Sequence, residues 1–504
     1  MFRLRPVAAG IAMAVPFGAV TNAVMNHVFV TGGFLLDTGW FVHLVAMQDW
    51  PLSNPPLIGG TYFATHLTLL FHAVGAIERV LPIGPIATFA LSQGLWSALI
   101  ALAVVILAKA ADTQHTRNDS LTNSLVAAGT ALSGPVLLLL GFPHPEIALP
   151  ALILLSVALW LRGWTVVALA VLALGLAVRE DAGLHAATVY GAIGLCRVVR
   201  AGGGRGRFAE VGVAAGAALA AGALMAYQRW AFAGDDALAR MYLEDPMLAH
   251  VDAGFVGRRL WHWVTDRADV VAPLAVLLAW ALAVRRPAPA MGVLAVAPWL
   301  ALHAIAVEDA PGRLLDNYGF YGFPLLIAVG WPLVAAAVDP ALQGRRAWRA
   351  TAVQVLTVGL SIALLPMADP GLKDRRSWRV FDVAYTGTVG ATKRFMAAHR
   401  ADPTAAGFVL MGDGVAALMP ELVGGATWLP GNAPVDGLGR WDTVMVFDRG
   451  PECREFAEVL RAPGPHAVRR VTGTHILLIT RRPPSALPYR LNSWAPPDGG
   501  DPCR

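Results

Sequence analysis

Charge is what this sequence lacks most. Of 504 residues only 14% are Asp, Glu, Lys or Arg, 56% are hydrophobic, and the mean hydropathy is +0.55. A soluble chain would carry about 25% charged residues. The deficit excludes both a soluble globular protein and a disordered one. Cysteine is also scarce: Cys196, Cys453 and Cys503 exclude a disulfide framework and have no metal-ligand spacing. A single Cys453–Cys503 bridge in an oxidising compartment stays open. The net charge of +5 gives no nucleic-acid surface, because Lys and Arg sit in short clusters between apolar runs. His-Glu-x-x-His and nucleophile-elbow spacings are missing, which removes the support for protease and hydrolase readings.

What the chain has is apolar length. Runs near the ~20 residues that cross hydrocarbon recur at 7–30, 86–109, 121–140, 147–161, 165–179, 184–197, 208–232, 270–284, 289–307, 320–338 and 349–366. The expectation is an α-helical polytopic membrane protein of about eleven transmembrane helices over 1–366, followed by a small α/β domain over 367–504. Arg3 and Arg5 before the first run mimic a signal peptide, but the run is long enough to span and reads as an uncleaved helix. Residues 31–85 are apolar yet broken by Asp37, Asp49, His66, Glu78, Pro51, Pro55 and Pro56. They read as short interfacial helices in a first outer loop. The alternative, a span at 62–81, would place Glu78 and Arg79 near its end.

Charge supports the interfacial choice. With the N-terminus inside, the basic clusters Lys109–Arg117, Arg162, Arg197–Arg207, Arg285–Arg286 and Arg345–Arg349 all fall on the cytoplasmic side. Counting 62–81 as a span would break that pattern. An odd number of spans leaves 367–504 outside a bacterial inner or plasma membrane. There, helical periodicity runs from Trp378 to His399, and Gly407–Met411, Thr443–Phe447 and His475–Thr480 have strand length. Val415–Leu422 and Glu452–Arg461 read as helices, so the order is α/β. Gly412-Asp413-Gly414 reads as an ordinary turn rather than an anion site.

Ionisable groups at a membrane boundary are functional candidates. On the outer side this topology collects Asp37, His66, His144, Glu146, Arg179, Glu180, Asp181, Glu308, Asp309, Arg313, Asp316 and Tyr318. Each has a bland reading as well. Asp37-Thr38-Gly39 can cap or turn the chain, and His144 between prolines can be a rigid turn. Glu146 can be a helix-start acid, Arg179-Glu180-Asp181 a salt-bridge set that ends a span, and His66 a satisfied interfacial histidine. The convergence says more than any member.

Those stretches resemble the GT-C superfamily of membrane glycosyltransferases, and more closely an uncharacterised family of bacterial polytopic membrane proteins near it. The resemblance rests on Leu36-Asp37-Thr38-Gly39-Trp40-Phe41, Thr65-His66-Leu67-Thr68, Phe142-Pro143-His144-Pro145-Glu146 and Val178-Arg179-Glu180-Asp181-Ala182-Gly183. Val409-Leu410-Met411-Gly412-Asp413 and Asp442-Thr443-Val444-Met445 add to it, so it covers nearly the whole chain. One departure stands out: where that family often has a second acid after the first, this chain has Val42 followed by His43. Asp49 or Glu180 would have to supply it.

The resemblance implies sugar transfer from a polyprenyl-phosphate-linked donor to a glycan, lipid or protein acceptor. It implies Asp37 as general base, with His66, His144, Glu146, Arg179, Glu180, Asp181, Arg313 and Tyr318 binding substrate. A divalent Mg or Mn on Asp37, Glu146 or Glu180 is consistent with the superfamily, some members of which use a metal. Competing readings are a transporter or flippase, which expects mid-membrane charges and internal repeats, and a scaffold binding a partner through Trp428, Trp441 and Trp494.

Overall fold

The computed structural model describes residues 36–55, 59–81, 83–111, 120–141, 143–200, 208–232, 242–244, 246–306, 322–365, 384–422, 427–428, 441–448, 453–454, 456–461, 466–495 and 503, with Pro16 and Val20. The expected first span, 7–30, lies outside the described residues apart from those two positions. By contact the chain forms two compact units. The first comprises Met1–Thr21, Phe63–Leu70 and Leu91–Lys373; the second comprises Asn22–Tyr62, Phe71–Ala90 and Asp374–Arg504.

Helices α1 (Leu36–Met47) and α2 (Leu70–Val80) occupy the broken first-loop segment. With eleven residues, α2 is too short to span an ordinary bilayer by itself. Helix α3 (Pro85–Ala111) starts on a proline, whose missing N–H costs nothing in a first turn, and carries Lys109 in its last turn. The apolar run 121–140 forms two helices, α4 (Ser120–Ala131) and α5 (Gly134–Gly141). At the break, the Gly134 N–H donates to Ser361 Oγ. A β-carbon on Gly134 would lie 2.1 Å from the Ser361 carbonyl oxygen, so only glycine fits.

A 3-10 turn, Pro145–Ile147, leads into α6 (Ala148–Leu161), which Gly163 at φ +79° turns into α7 (Thr165–Leu176). Then follow α8 (Ala182–Arg200), α9 (Ala209–Phe232), α10 (Ala253–Asp266), α11 (Ala268–Val284), α12 (Met291–Ala295), α13 (Ala297–Ile305), α14 (Leu325–Val338) and α15 (Ala347–Ala363). Among the described residues, α3, α8 over Ala182–Val199, and α9 are long and apolar enough to cross a bilayer. The pair α10 and α11, bent by 90°, would make a fourth. Shorter apolar helices fill Pro145–Leu161, α7, α14 and α15. Helix length alone therefore gives fewer crossings than the eleven apolar runs.

Small residues set the helix spacing in this unit. A β-carbon on Gly183 would sit 2.1 Å from the Ala217 carbonyl oxygen and 2.9 Å from the Ala221 β-carbon, so α8 and α9 meet backbone to backbone. Such close approach is how apolar helices gain packing energy where lipid offers the same hydrophobicity as a neighbour. The unit has two chemically different ends. At one, Arg162 Nη1 donates to the Lys109 carbonyl (3.4 Å), while Trp160 Nε1 (2.8 Å) and Arg197 both reach Glu210, the acid of the first turn of α9. The other end carries the carboxylate and imidazole cluster.

In the second unit, α16 (Ala384–Ala401), β1 (Val409–Gly412), α17 (Asp413–Leu418), β2 (Thr427–Trp428), β3 (Thr443–Phe447), α18 (Ala457–Arg461), β4 (Ala467–Val471), β5 (Ile476–Thr480) and β6 (Leu491–Ser493) form an α/β fold. The sheet order is β2-β1-β3-β5-β4-β6. The first three strands are parallel, in register Val409↔Thr443, and the rest pair antiparallel, with Thr443↔Thr480 and Ala467↔Thr480. Strands β3 and β5 are buried throughout, which is why they read as unbroken apolar runs. Their core includes Leu410, Trp441, Val444, Phe456, Leu477 and Ile479, closed by a Cys453–Cys503 disulfide. Gly412-Asp413-Gly414, expected as a turn, is instead the junction at which β1 passes directly into α17.

Candidate functional site

Three stretches distant in sequence supply the cluster of the first unit. Their backbones are fixed first: the Leu69 N–H donates to Ala177 O (2.9 Å), which ties the His66 segment to the end of α7. Gln228 Nε2 donates to Phe63 O (3.0 Å), which ties it to the end of α9. The N-terminal end of α6 brings His144 and Glu146, and the α7–α8 connection brings Arg179, Glu180 and Asp181. These are ends of successive helices and share one side of the unit.

Glu180 accepts from His66 Nδ1 at 3.0 Å on Oε1 and from the Leu67 N–H at 3.0 Å on Oε2. Both carboxylate oxygens therefore grip one dipeptide. Glu146 Oε2 accepts from His144 Nδ1 at 3.1 Å, and its Oε1 lies 3.8 Å from Arg179 Nη1. Arg179 makes the planar bidentate pair with Asp181, Nε to Oδ1 at 2.8 Å and Nη2 to Oδ2 at 2.7 Å. The Arg179, Glu146 and Asp181 side chains are 19%, 9% and 18% exposed, so this network is largely dry. Burial works to raise the Asp181 carboxyl, and the Arg179 guanidinium more than reverses it, holding Asp181 below its ordinary range.

The structure thus joins His66 to Glu180, and His144 to Glu146, Arg179 and Asp181. A carboxylate on Nδ1 fixes the tautomer and ring orientation of an imidazole and makes its other nitrogen more basic. The arrangement offers two oriented imidazoles beside a preorganised ion-pair network, able to donate hydrogen bonds to an anion or to accept a proton.

Asp37 lies on the first turn of α1 in the second unit, half-buried. Gly39 belongs to the interior of that helix rather than to a turn. Arg313 and Tyr318 lie outside the described residues, as do Glu308, Asp309 and Asp316. Among the described residues, no group of three or more His, Cys, Asp and Glu side chains could hold a metal ion. The acids proposed for Mg or Mn explain this: Glu146 and Glu180 are engaged by histidine, arginine and backbone. The described residues do not fit a divalent ion, and no step below passes through one.

Sequence reasoning missed two neighbours of the cluster. His185, one helical turn after Asp181, is buried and close enough to act on the charge of its carboxylate. Its i,i+4 spacing from Asp181 was a usable signal. Tyr242 lies within Coulombic reach of Arg179 and Asp181. It sits in a short π-helical turn, 242–243, with no sequence pattern to mark it.

No family model matches the chain, and no curated protein does. Solved structures that resemble it include ArnT from Cupriavidus metallidurans in the apo state, with TM-score 0.41 and 16% identity over 93% of this chain and 98% of that one. The same protein bound to undecaprenyl phosphate gives 0.40 and 14%, over 94% and 98%. The arabinofuranosyltransferase AftD from Mycobacteria gives 0.40 and 16% over 82% of this chain, which spans only 29% of AftD. At such scores no residue role or substrate passes from them to this chain.

Proposed function

We propose that this chain is a membrane glycosyltransferase that moves a sugar from a polyprenyl-phosphate-linked donor to a glycan, lipid or protein acceptor at the outer face of a bacterial inner or plasma membrane. The observation that carries the proposal is the linked cluster of His66, Glu180, His144, Glu146, Arg179 and Asp181 at the end of the helices opposite Lys109, Arg162 and Arg197. The proposed topology has about eleven spans in 1–366, some of them short or broken, with the N-terminus cytoplasmic and 367–504 extracytoplasmic. The basic end supports that orientation through the positive-inside rule. The Cys453–Cys503 bridge supports an oxidising location for the C-terminal domain.

The chemistry follows from where charge moves. A lipid donor arrives sideways with its phosphate at the interface. Asp37 takes the proton of the acceptor hydroxyl, whose oxygen bonds to the anomeric carbon. The bond from that carbon to the phosphate oxygen breaks, and polyprenyl phosphate leaves with the electron pair. The growing phosphate charge calls for fixed donors, for which His144, His66, Arg179 and Arg313 are the candidates. Glu146, Glu180, Asp181 and Tyr318 complete the proposed substrate contacts. Because Arg179 already serves Asp181 and Glu146, it contributes a preorganised field, whereas the imidazoles can donate directly.

The test compares lipid-linked sugars and surface glycans from cells carrying wild type, a deletion and Asp37→Ala at equal expression. Accumulation of one polyprenyl-phosphate sugar and loss of one glycan residue in both mutants is the expected result. An Asp37→Ala strain that matches wild type while the deletion does not would sink the base assignment and move transport or scaffolding ahead.

A further inference from the structure

The α/β domain and the helix that carries Asp37 belong to the same compact unit, and their contact is made backbone to backbone. A β-carbon on Gly39 would lie 2.1 Å from the Ala417 carbonyl oxygen, 2.4 Å from its Cα and 2.6 Å from its carbonyl carbon. Helix α17 therefore rests directly on α1, two residues after Asp37, with no side chain between them. Thr38 is buried at this seat. His43, one turn further along α1, is buried too and lies within Coulombic reach of Glu421, just beyond α17.

The remaining faces of α1 are held as firmly. Trp40 Nε1 donates to Asn54 Oδ1 at 3.0 Å, and its ring meets Tyr62 edge-on at 5.1 Å. Beyond its last turn, Gln48 Nε2 donates to Phe71 O at 2.8 Å, while Arg79 donates to Gln48 Oε1 at 2.8 Å. A helix clamped along its length has one direction for its first-turn carboxylate. The α/β domain supplies the clamp at Gly39, two residues along the chain from that carboxylate.

We infer that the C-terminal α/β domain is the positioning element of the first-loop carboxylate, with α17 seated on Gly39 to fix where Asp37 points. The inference rests on the reading of Asp37 as general base. It assigns the domain a role in catalysis through α1 rather than through substrate contact of its own. Gly39 and Ala417 are positioning residues, and glycine is required at 39 because any β-carbon must push two backbones apart by more than an ångström.

The test uses the full-length protein in nanodiscs with Gly39→Ala, Asp37→Ala and Gly222→Ala. Gly222 is the control, since a β-carbon there meets nothing within 4 Å. Transfer is read with total lipid-linked sugar extract as donor and cell-envelope glycan as acceptor. Retention of undecaprenyl phosphate is read separately by native mass spectrometry.

A displacement of about 1 Å at a reacting group costs on the order of a hundredfold in rate. Gly39→Ala is therefore expected to lose about a hundredfold in turnover while retaining the lipid phosphate as wild type does, with Gly222→Ala unchanged. If Gly39→Ala turns over like wild type while Asp37→Ala is dead, the positioning role falls and the transferase reading stands. If Asp37→Ala is active, both fall. Should Gly39→Ala fail to accumulate, His43→Ala hollows the same seat without a clash. It is expected to lose turnover, on the order of tenfold, with lipid retention intact; unchanged turnover would overturn the role equally.

Discussion

Replacing Arg179 by Met keeps a long apolar stem and removes the guanidinium that Asp181 and Glu146 share. Two carboxylates would then stay largely buried, with His144 as the partner of one of them. Removing one partner of a buried pair costs about 3–5 kcal/mol, because the remaining charge is desolvated without compensation. The partial exposure of Arg179 and Asp181 places this site near the low end, about 3 kcal/mol. In a large domain each kcal/mol moves the melting midpoint by about 2–4 °C, so the expected fall is on the order of 10 °C.

Cys196 supplies the assay, because it is a buried thiol outside the disulfide, in α8 of the same unit. A thiol-reactive dye added to the protein in nanodiscs reports its exposure on heating. The double variant Arg179→Met/Asp181→Asn should recover at least about 1 kcal/mol, since Asp181 no longer leaves an unpaired charge. A single variant melting within about 2 °C of wild type would refute the buried-network account. So would a double variant that melts below the single one.

The same network dictates an acid limb. Asp181 titrates below its ordinary value in the folded protein, so its contribution is complete above about pH 4 and is lost as pH falls through the lowered native value. The Cys196 melting midpoint should fall below about pH 4, and Asp181→Asn should lack part of that fall; identical slopes would contradict it. In the α/β domain, Cys453 and Cys503 close a loop of sequence separation 50, worth about 4 kcal/mol in the chain-entropy model. Cys503→Ser should therefore expose the domain to protease at lower temperature, and reductant should bring wild type to the same point. A variant as resistant as the oxidised wild type would show that the bridge adds nothing.

The grouping of the ionisable residues was the most legible feature of this sequence. Positive loop charge alone grouped His66, His144, Glu146 and Arg179–Asp181, and the structure joins them by hydrogen bonds and ion pairs. The pairing itself was not legible, because partners 113 and 114 residues apart leave no local spacing between the His66 segment and Glu180. Strands β3 and β5 could be read because they are buried on both faces. Strand β4 could not, since Arg469 and Arg470 interrupt its apolar pattern on a half-exposed flank. The role of Gly39 was not legible for a physical reason: glycine after Asp-Thr is compatible with a turn, whereas here it serves a close helix contact that only tertiary structure reveals.

Helix α7 has twelve residues, about 18 Å of length, against ~30 Å of hydrocarbon in an ordinary bilayer. If α7 crosses as the proposed topology has it, a segment so short creates hydrophobic mismatch, which the lipid relieves by thinning around it. Arg179 follows three residues after the end of this helix. In the topology proposed above, the cluster would then lie at the floor of a local dimple in the leaflet. Under that proposal the thickness of the host membrane would control access to the cluster, with longer acyl chains raising the cost of the dimple.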